Sequence, residues 1–397
     1  MKIVGLITEY NPFHNGHQYH IDEARKISGA DYVLVVMSGN YVQRGTPAIM
    51  PKHIRANIAL SSGADLVIEL PTYFATGTAE VFAFGAVTLL HSLGVVDSIC
   101  FGSECGDIED LTALATLLTD EPFEYKQMLQ DNLRLGMSFP SARHDAIARY
   151  TKNESLAALL NEPNNILALE YLKALRRLKS NIKPYTIQRK ESSYHDVNLG
   201  VGLSSASAIR NAIKNNGLDA NIWEKLPLSS HQLLKDYWEK RFPIFTNDFS
   251  LLLKQRLLTE SATSLLEYAD VSESLANRII KHRNQFIAYE QFCELLKTKE
   301  ITYSRISRAL LHILLGIKKE PSDFKPSYAR VLGFRKNSAS MMTAIKSSST
   351  IPLVTKLADA ESHIDVDVLA SNLYESVVTE KFKTPFVNEY EQQIVRI

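Results

Sequence analysis

In the first half of the chain, short apolar blocks alternate with longer stretches of helical periodicity. Ile3, Val4, Leu6 and Ile7 form the first block, and residues 31–38, 64–70 and 97–101 repeat it. Blocks of this length with no polar alternation predict strands of a parallel sheet covered on both faces. The intervening segments predict helices from just after residue 13 to about 28, from 51 to about 62, and over 78–93. Pro51 suits a first helical turn. Residues 183–188 (KPYTIQ) predict a fifth strand, reached through a helical stretch from 107 to 178 that breaks at 136–140 and 161–165. Strand and helix in alternation predict an α/β fold built on a Rossmann-like parallel sheet, with a helical insertion at about 107–180. Beyond Asn216 leucine-rich helical patterns take over, at 232–240, 249–258, 261–268, 272–286, 289–296 and 304–315. Short strand signals remain near 329–333 and 351–355. The expected organisation is therefore a domain over 1–216 followed by a mainly α-helical region over 217–397.

The stretch KIVGLITEYNPFHNGHQYH organises the rest. The first strand ends in a turn at Asn11-Pro12, and His14-Asn15-Gly16-His17 falls where the next helix begins. A strand, a turn and a helix N-terminus converge backbone N–H groups and the positive end of the helix dipole on one spot, which suits a phosphate. Gly16 has no Cβ to hold a ligand off, and His14 and His17 add side-chain donors. Two other readings stay open on the residues alone. The histidines fit surface or capping positions, and His14, His17 and His20 recur every third residue as metal ligands sometimes do. At about 100° per residue, however, His14 and His20 point to different helix faces, which disfavours a shared metal.

Composition narrows the class. The 397 residues are 45 % hydrophobic and 22 % charged, ordinary for a globular protein. Lys+Arg and Asp+Glu are both 44, which excludes a uniformly basic nucleic-acid binder but not a local basic face. Cys100, Cys105 and Cys293 form no paired or zinc-type spacing, as in a reducing cytoplasm. No run approaches 18 apolar residues, so no membrane span is expected. Nothing in the residues sets an oligomeric state.

His14-x-Gly16-His17 after an N-terminal strand resembles the HxGH signature of the nucleotidyltransferase superfamily. The longer blocks GLITEYNPFHNGHQYHIDEA, SGNYVQRGTPAIMPKHIRANIAL, FGSE, PNNILALEYLKAL and TYSRISRALLHILLGI resemble the tRNA(Met) cytidine acetate ligases. That resemblance implies an ATP site along Ile7-Thr8-Glu9-Tyr10-Asn11-Pro12-Phe13-His14-Asn15-Gly16-His17-Gln18-Tyr19-His20, with Gly102, Asn164 and Arg189. It also implies acetate activated as acetyl-adenylate, and transfer to N4 of the wobble cytidine of elongator tRNA(Met). Gly200–Ile213 (GVGLSSASAIRNAI) mimics a dinucleotide fingerprint, but Ser205 stands where its third glycine belongs and no strand precedes Gly200. Read instead through Ser204, Ser205, Ser207 and Arg210, it resembles the second superfamily signature, in which a helix N-terminus embraces the outer phosphates. In that picture His14, His17 and the N–H groups near Gly16 serve the α-phosphate. Lys52 and Arg55, three apart on a helix, are candidates for the outer phosphates, with Mg²⁺ as shared counter-charge.

Between Gln255 and Lys346 basic residues outnumber acidic ones. Lys281, Arg283, Tyr303, Arg305, Arg308, Arg335 and Lys336 are candidates for gripping an RNA backbone and stacking a splayed base. Solubilising helix faces are the plain alternative. The rival functions are a small-molecule adenylyltransferase, a ligase for another acid, and a non-catalytic nucleotide-sensing RNA-binding module.

Overall fold

The computed structural model describes residues 1–189, 204–360 and 364–397. Gly200 and the start of the serine-rich motif lie outside the described residues. Eight strands build one sheet: β1 Ile3–Thr8, β2 Tyr32–Ser38, β3 Leu66–Leu70, β4 Ser98–Ser103, β5 Lys183–Gln188, β6 Ala329–Phe334, β7 Leu353–Val354 and β8 Val395–Arg396. Their order is β8-β6-β3-β2-β1-β4-β5, with β7 also on β6. All pairs are parallel except β3 with β6. From β1 the chain winds outward through β2 and β3, then returns to the other side of β1 for β4 and β5. The crevice beyond the C-terminal ends of β1 and β4 is therefore the point where strand order reverses, the place where open α/β sheets bind ligands.

The five predicted strands form where the apolar blocks lie. Their alternate residues enter different cores: Ile3, Leu34, Val36 and Ile99 face α3 (Ala79–Ser92) and α4 (Pro163–Arg177). Val4, Leu6, Val33, Val35 and Cys100 face α1 (Asn15–Ser28), α2 (Lys52–Ser61) and α5 (Ala206–Asn216). A third core joins the C-terminal helices, among them α6 (Tyr303–Leu315) and α7 (Asp365–Phe382). Among the described residues no helix is long and apolar enough to cross a membrane.

Two features depart from the sequence reading. The late strand signals form no separate sheet: β6 pairs antiparallel with β3, and β7 and β8 cover its outer edge. The region after residue 216 thus completes the first sheet as well as forming its own helical core. The long α7 is also missed. Its buried side includes Asp367, Ser371 and Glu375 among Val368, Tyr374 and Val378, so no clean apolar stripe marks it.

A buried cluster of charges fixes the returning chain to the sheet. Lys52 Nζ lies 2.7 Å from both Glu69 Oε1 and Glu389 Oε1. Arg330 Nη1 lies 2.5 Å from Glu389 Oε1 and 3.3 Å from Glu69 Oε2. The two cations hold the Glu389 carboxyl well below its usual range, and the carboxylates raise Arg330. Two positive and two negative groups balance, which makes their burial tolerable. Lys52→Met leaves one carboxylate uncompensated and is expected to cost about 3–5 kcal/mol. Adding Glu69→Gln restores the charge balance and should recover part of that loss in denaturant unfolding.

Candidate active site

The loop after β1 is held from several sides before any ligand arrives. Glu9 Oε1 accepts from the Gln43 N–H at 3.0 Å, and Asn11 Oδ1 from the Ile49 N–H at 2.7 Å. Arg55 Nη1 donates to the Glu9 carbonyl at 2.6 Å, and Arg210 Nη1 to the Asn11 carbonyl at 2.5 Å. Tyr10 sits at φ +48°, an uncommon conformation for a bulky residue, with its ring edge-on to Phe13 and His17.

His14 is the N-cap of α1. Its Nδ1 accepts from the Gly16 N–H at 3.1 Å, while its own N–H donates to His17 Nδ1 at 3.3 Å. The two rings stack with centroids 3.8 Å apart. Each Nδ1 is thus an acceptor, and in a neutral imidazole the proton must then sit on Nε2. Both rings are neutral: burial, with the Arg189 and Arg210 charges, pulls His14 down to about 3. Burial, then His14, Arg189 and His20, pull His17 well below its ordinary value. The backbone donors expected near Gly16 have protein partners. The Asn15 N–H is spent on the Lys225 carbonyl at 2.9 Å and the His17 N–H on the His14 carbonyl at 2.9 Å. The first-turn amides serve as caps, so the imidazole rings rather than the backbone carry the polar character of this turn.

Across the crevice, Gly102, Asn164 and Arg189 come together. Arg189 Nη1 donates to Asn164 Oδ1 at 3.3 Å, and a Cβ on Gly102 would meet Arg189 Cγ at 3.1 Å. Asn164 is oriented by Glu104, whose Oε1 accepts from its Nδ2 at 2.6 Å and its N–H at 3.1 Å. Asn165 Oδ1 accepts in return from the Glu104 and Cys105 amides. Glu104 and Asn165 lie outside the predicted site residues, although each sits in a block that carries the family resemblance, FGSE and PNNILALEYLKAL. The third wall is α5. Ser205 caps it by accepting from the Ala208 N–H at 3.2 Å, and Arg210 Nη2 donates to Ser207 Oγ at 3.1 Å. Ser204 Oγ is buried and has no partner among the described residues.

Several predicted residues have other work. Lys52 and Arg55 are both fully buried. They share a helix face as expected, but it turns onto the strand ends. Lys52 belongs to the charge cluster, and Arg55 donates to the Glu9, Ser38, Gly39 and Met50 carbonyls. Lys52 has no donor left, and Arg55 has four of its five N–H groups engaged by backbone carbonyls. Gln18 points away, onto the Ser62 carbonyl at 2.8 Å. Ile7 and Phe13 pack in the cores, and Tyr19 is half-buried. Thr8 and Pro12 are buried in the turn. Of the RNA candidates, Arg308 is paired with Asp270 at 2.8 Å, and Arg283 donates to the Glu260 carbonyl. Tyr303 is half-buried and packs on the helical core, so it is no open stacking platform. Lys281 and Lys336 are exposed, with Arg305 and Arg335 half-buried. No three His, Cys, Asp or Glu among the described residues are grouped to hold a metal.

A family model described as HIGH Nucleotidyl Transferase matches residues 1–389. The tRNA(Met) cytidine acetate ligase of Acetivibrio thermocellus is 42 % identical over 94 % of both chains. That of Clostridium perfringens is 41 % identical over 94 % of this chain and 95 % of its own. The crystal structure of Thermotoga maritima TmcAL in its apo form has a TM-score of 0.93 and 34 % identity, covering 100 % of both chains. The same protein bound with alpha-thio ATP gives a TM-score of 0.91. With a reversed-order sheet, a histidine-capped first helix and similarity along its whole length, the chain belongs to the HIGH nucleotidyl transferase family and, within it, to the tRNA(Met) cytidine acetate ligases.

Proposed function

We propose that the chain is an ATP-dependent ligase that joins acetate to N4 of the wobble cytidine of elongator tRNA(Met). The observation that carries this reading is the stacked His14–His17 pair at the switch point of the sheet, each ring held through its Nδ1 by the cap of α1. An acetate oxygen attacks the α-phosphorus of ATP, and the bond to the β-phosphate oxygen breaks, giving acetyl-adenylate and pyrophosphate. The cytidine amine then attacks the acetyl carbon, AMP leaves, and the nitrogen sheds a proton to give N4-acetylcytidine.

No protein nucleophile is needed; positioning and charge stabilisation carry the first step. His14 and His17 donate to the α-phosphoryl oxygens, where negative charge grows. Arg210 and the buried Ser204 hydroxyl face the leaving pyrophosphate, and Asn164 with Arg189 holds the nucleoside side. Mg²⁺, when bound with the triphosphate, would supply counter-charge to it. Residues 1–216 carry the ATP site. The 107–180 insertion and the 217–397 region, through Lys281, Arg305, Arg335 and Lys336, grip the tRNA. A splayed anticodon base reaches the crevice from that side. A cytoplasmic setting supplies all three substrates.

Labelled acetate, ATP and unmodified tRNA(Met) should yield acetylated cytidine at the wobble position after digestion. Pyrophosphate release without RNA acetylation would favour a small-molecule adenylyltransferase instead. His17→Ala is expected to lower the rate about 10²–10³-fold while losing only about 1 kcal/mol of stability with its cap. The histidines also set a pH window. His14 falls to about 3 and His20 to about 4 in the fold, against about 6.5 unfolded, so the unfolded chain binds more protons between those values. Their stability contribution is complete above about pH 6.5 and falls as pH drops, by about 1.4 kcal/mol per unit for each histidine. His14→Asn, which keeps a capping acceptor, should flatten the acid limb of urea unfolding by one such slope.

A further inference from the structure

A cavity of about 320 Å³ opens close to the C-terminal ends of β2 and β3, at the lower end of the size range for small-molecule sites. Its lining is drawn from Asn40 after β2, from the start of α2, from residues 233–241, from α7 and from residues 387–395. The charges among these lining residues are spent on one another or on the buried cluster. Arg241 Nη2 lies 2.7 Å from Glu375 Oε2, and Glu389 Oε1 is held by Lys52 and Arg330. An anion or a cation entering here meets no counter-charge left to pair with.

The neutral polar groups are not spent. Both ring nitrogens of His53 are buried and have no hydrogen-bond partner among the described residues. Nε2 stands 3.7 Å from Glu389 Oε1, beyond hydrogen-bond reach. Burial favours the uncharged ring, which offers one N–H and one lone pair. Asn40 Oδ1 accepts from the Lys52 N–H at 2.8 Å and Asn57 Oδ1 from Ser61 Oγ at 3.3 Å, which leaves each Nδ2 as a donor. Gln392 brings a further amide, and the exposed Tyr237 adds a ring and a hydroxyl. Ile54, Leu233, Val387 and Val395 supply apolar surface among these groups. Buried polar atoms are rarely left unpaired. A hydrocarbon would leave His53 and the amides unsatisfied, so the lining suits an uncharged ligand with both donors and acceptors and an apolar face.

We propose that this cavity is a second nucleoside site, in which His53 and the amides read the edge of a base and the apolar side chains cover its faces. The site shares no residue with the histidine crevice and does not depend on the acetylation reading. The loop after β2 nevertheless touches both. Asn40 lines the cavity, while the Gln43 and Ile49 amides of the same loop hold Glu9 and Asn11. The base belongs either to a free nucleoside or to a nucleotide splayed out of an RNA strand; the chemistry of the edge is the same, and the two sources separate by experiment.

Calorimetry on the full-length chain, with ATP held in excess, measures adenosine, guanosine, cytidine, uridine, D-ribose and a short single-stranded RNA of each base. At least one base is expected to bind, as the nucleoside or within RNA, while ribose, which lacks the flat faces, does not. Binding of the nucleoside itself identifies a free ligand; binding within RNA alone identifies a splayed nucleotide. Asn57→Leu and Gln392→Leu, both half-buried and outside the charge cluster, should each weaken that ligand about 10-fold and leave ATP binding unchanged. His53→Phe should do the same, with thermal melting to show that it is folded. The proposal is overturned if no base binds in either form, if ribose binds as tightly as the nucleosides, or if binding survives Asn57→Leu and Gln392→Leu undiminished. A chain that binds the base but no ATP would sink the ATP site alone.

Discussion

The reciprocal cap at the start of α1 governs the chemistry of this fold. Helix N-termini ordinarily hold surplus amide donors, and phosphate sites commonly draw on them. Here those amides are consumed by His14 Nδ1, the His14 carbonyl and the Lys225 carbonyl. The consequence is local: each captured Nδ1 forces the proton of its neutral ring onto the far nitrogen. Rings fixed by a cap, a stack and burial cannot reorganise when charge develops opposite them, which is what electrostatic catalysis requires. Their neutrality matters as much. An imidazolium would be repelled by Arg189 and Arg210, and the pocket could not keep all four cations together.

Behind the cap stands a layer of buried cations engaged by protein partners. Arg55 gathers carbonyls from the ends of β1 and β2, where turning backbone leaves acceptors with no strand partner. The loop after β2 is fastened on its far side too: Ser307 Oγ donates to the Gly45 carbonyl at 2.8 Å, and the Tyr374 hydroxyl to the Ala48 carbonyl at 2.7 Å. Gly45, at φ +74°, lies against the backbone of Ser307 and Arg308, so no side chain fits there. The helical region is thereby wedged against the same loop that braces Glu9, and the two halves of the molecule share one rigid support for the crevice.

The sequence made most of this legible, though unevenly. Strands β1–β5 and helices α1–α3 follow from apolar blocks and helical spacing, since each buries its own residues whatever the partner. The HxGH turn was readable because its chemistry is local. Lys52 and Arg55 share one helix face as their spacing predicts, but Glu69 and the strand-end carbonyls that hold them are remote in sequence. The same blindness affects the basic region: Arg308 reads as a free cation until Asp270, 38 positions earlier, is seen beside it. The polar residues buried along α7 hide a helix whose partners come from several elements. Interactions closed by long loops are invisible to periodicity.

The antiparallel docking of β6 on β3 has a consequence for synthesis. Every wall of the crevice is encoded before residue 217, yet β3 remains a bare sheet edge until β6 emerges, and Arg330 and Glu389 join Lys52 and Glu69 later still. An open strand edge beside a half-assembled charge cluster invites association with other chains. A nascent polypeptide arrested within its helical region would thus possess the crevice residues without their final support, and maturation of the nucleotide site is tied to translation reaching the distal strands.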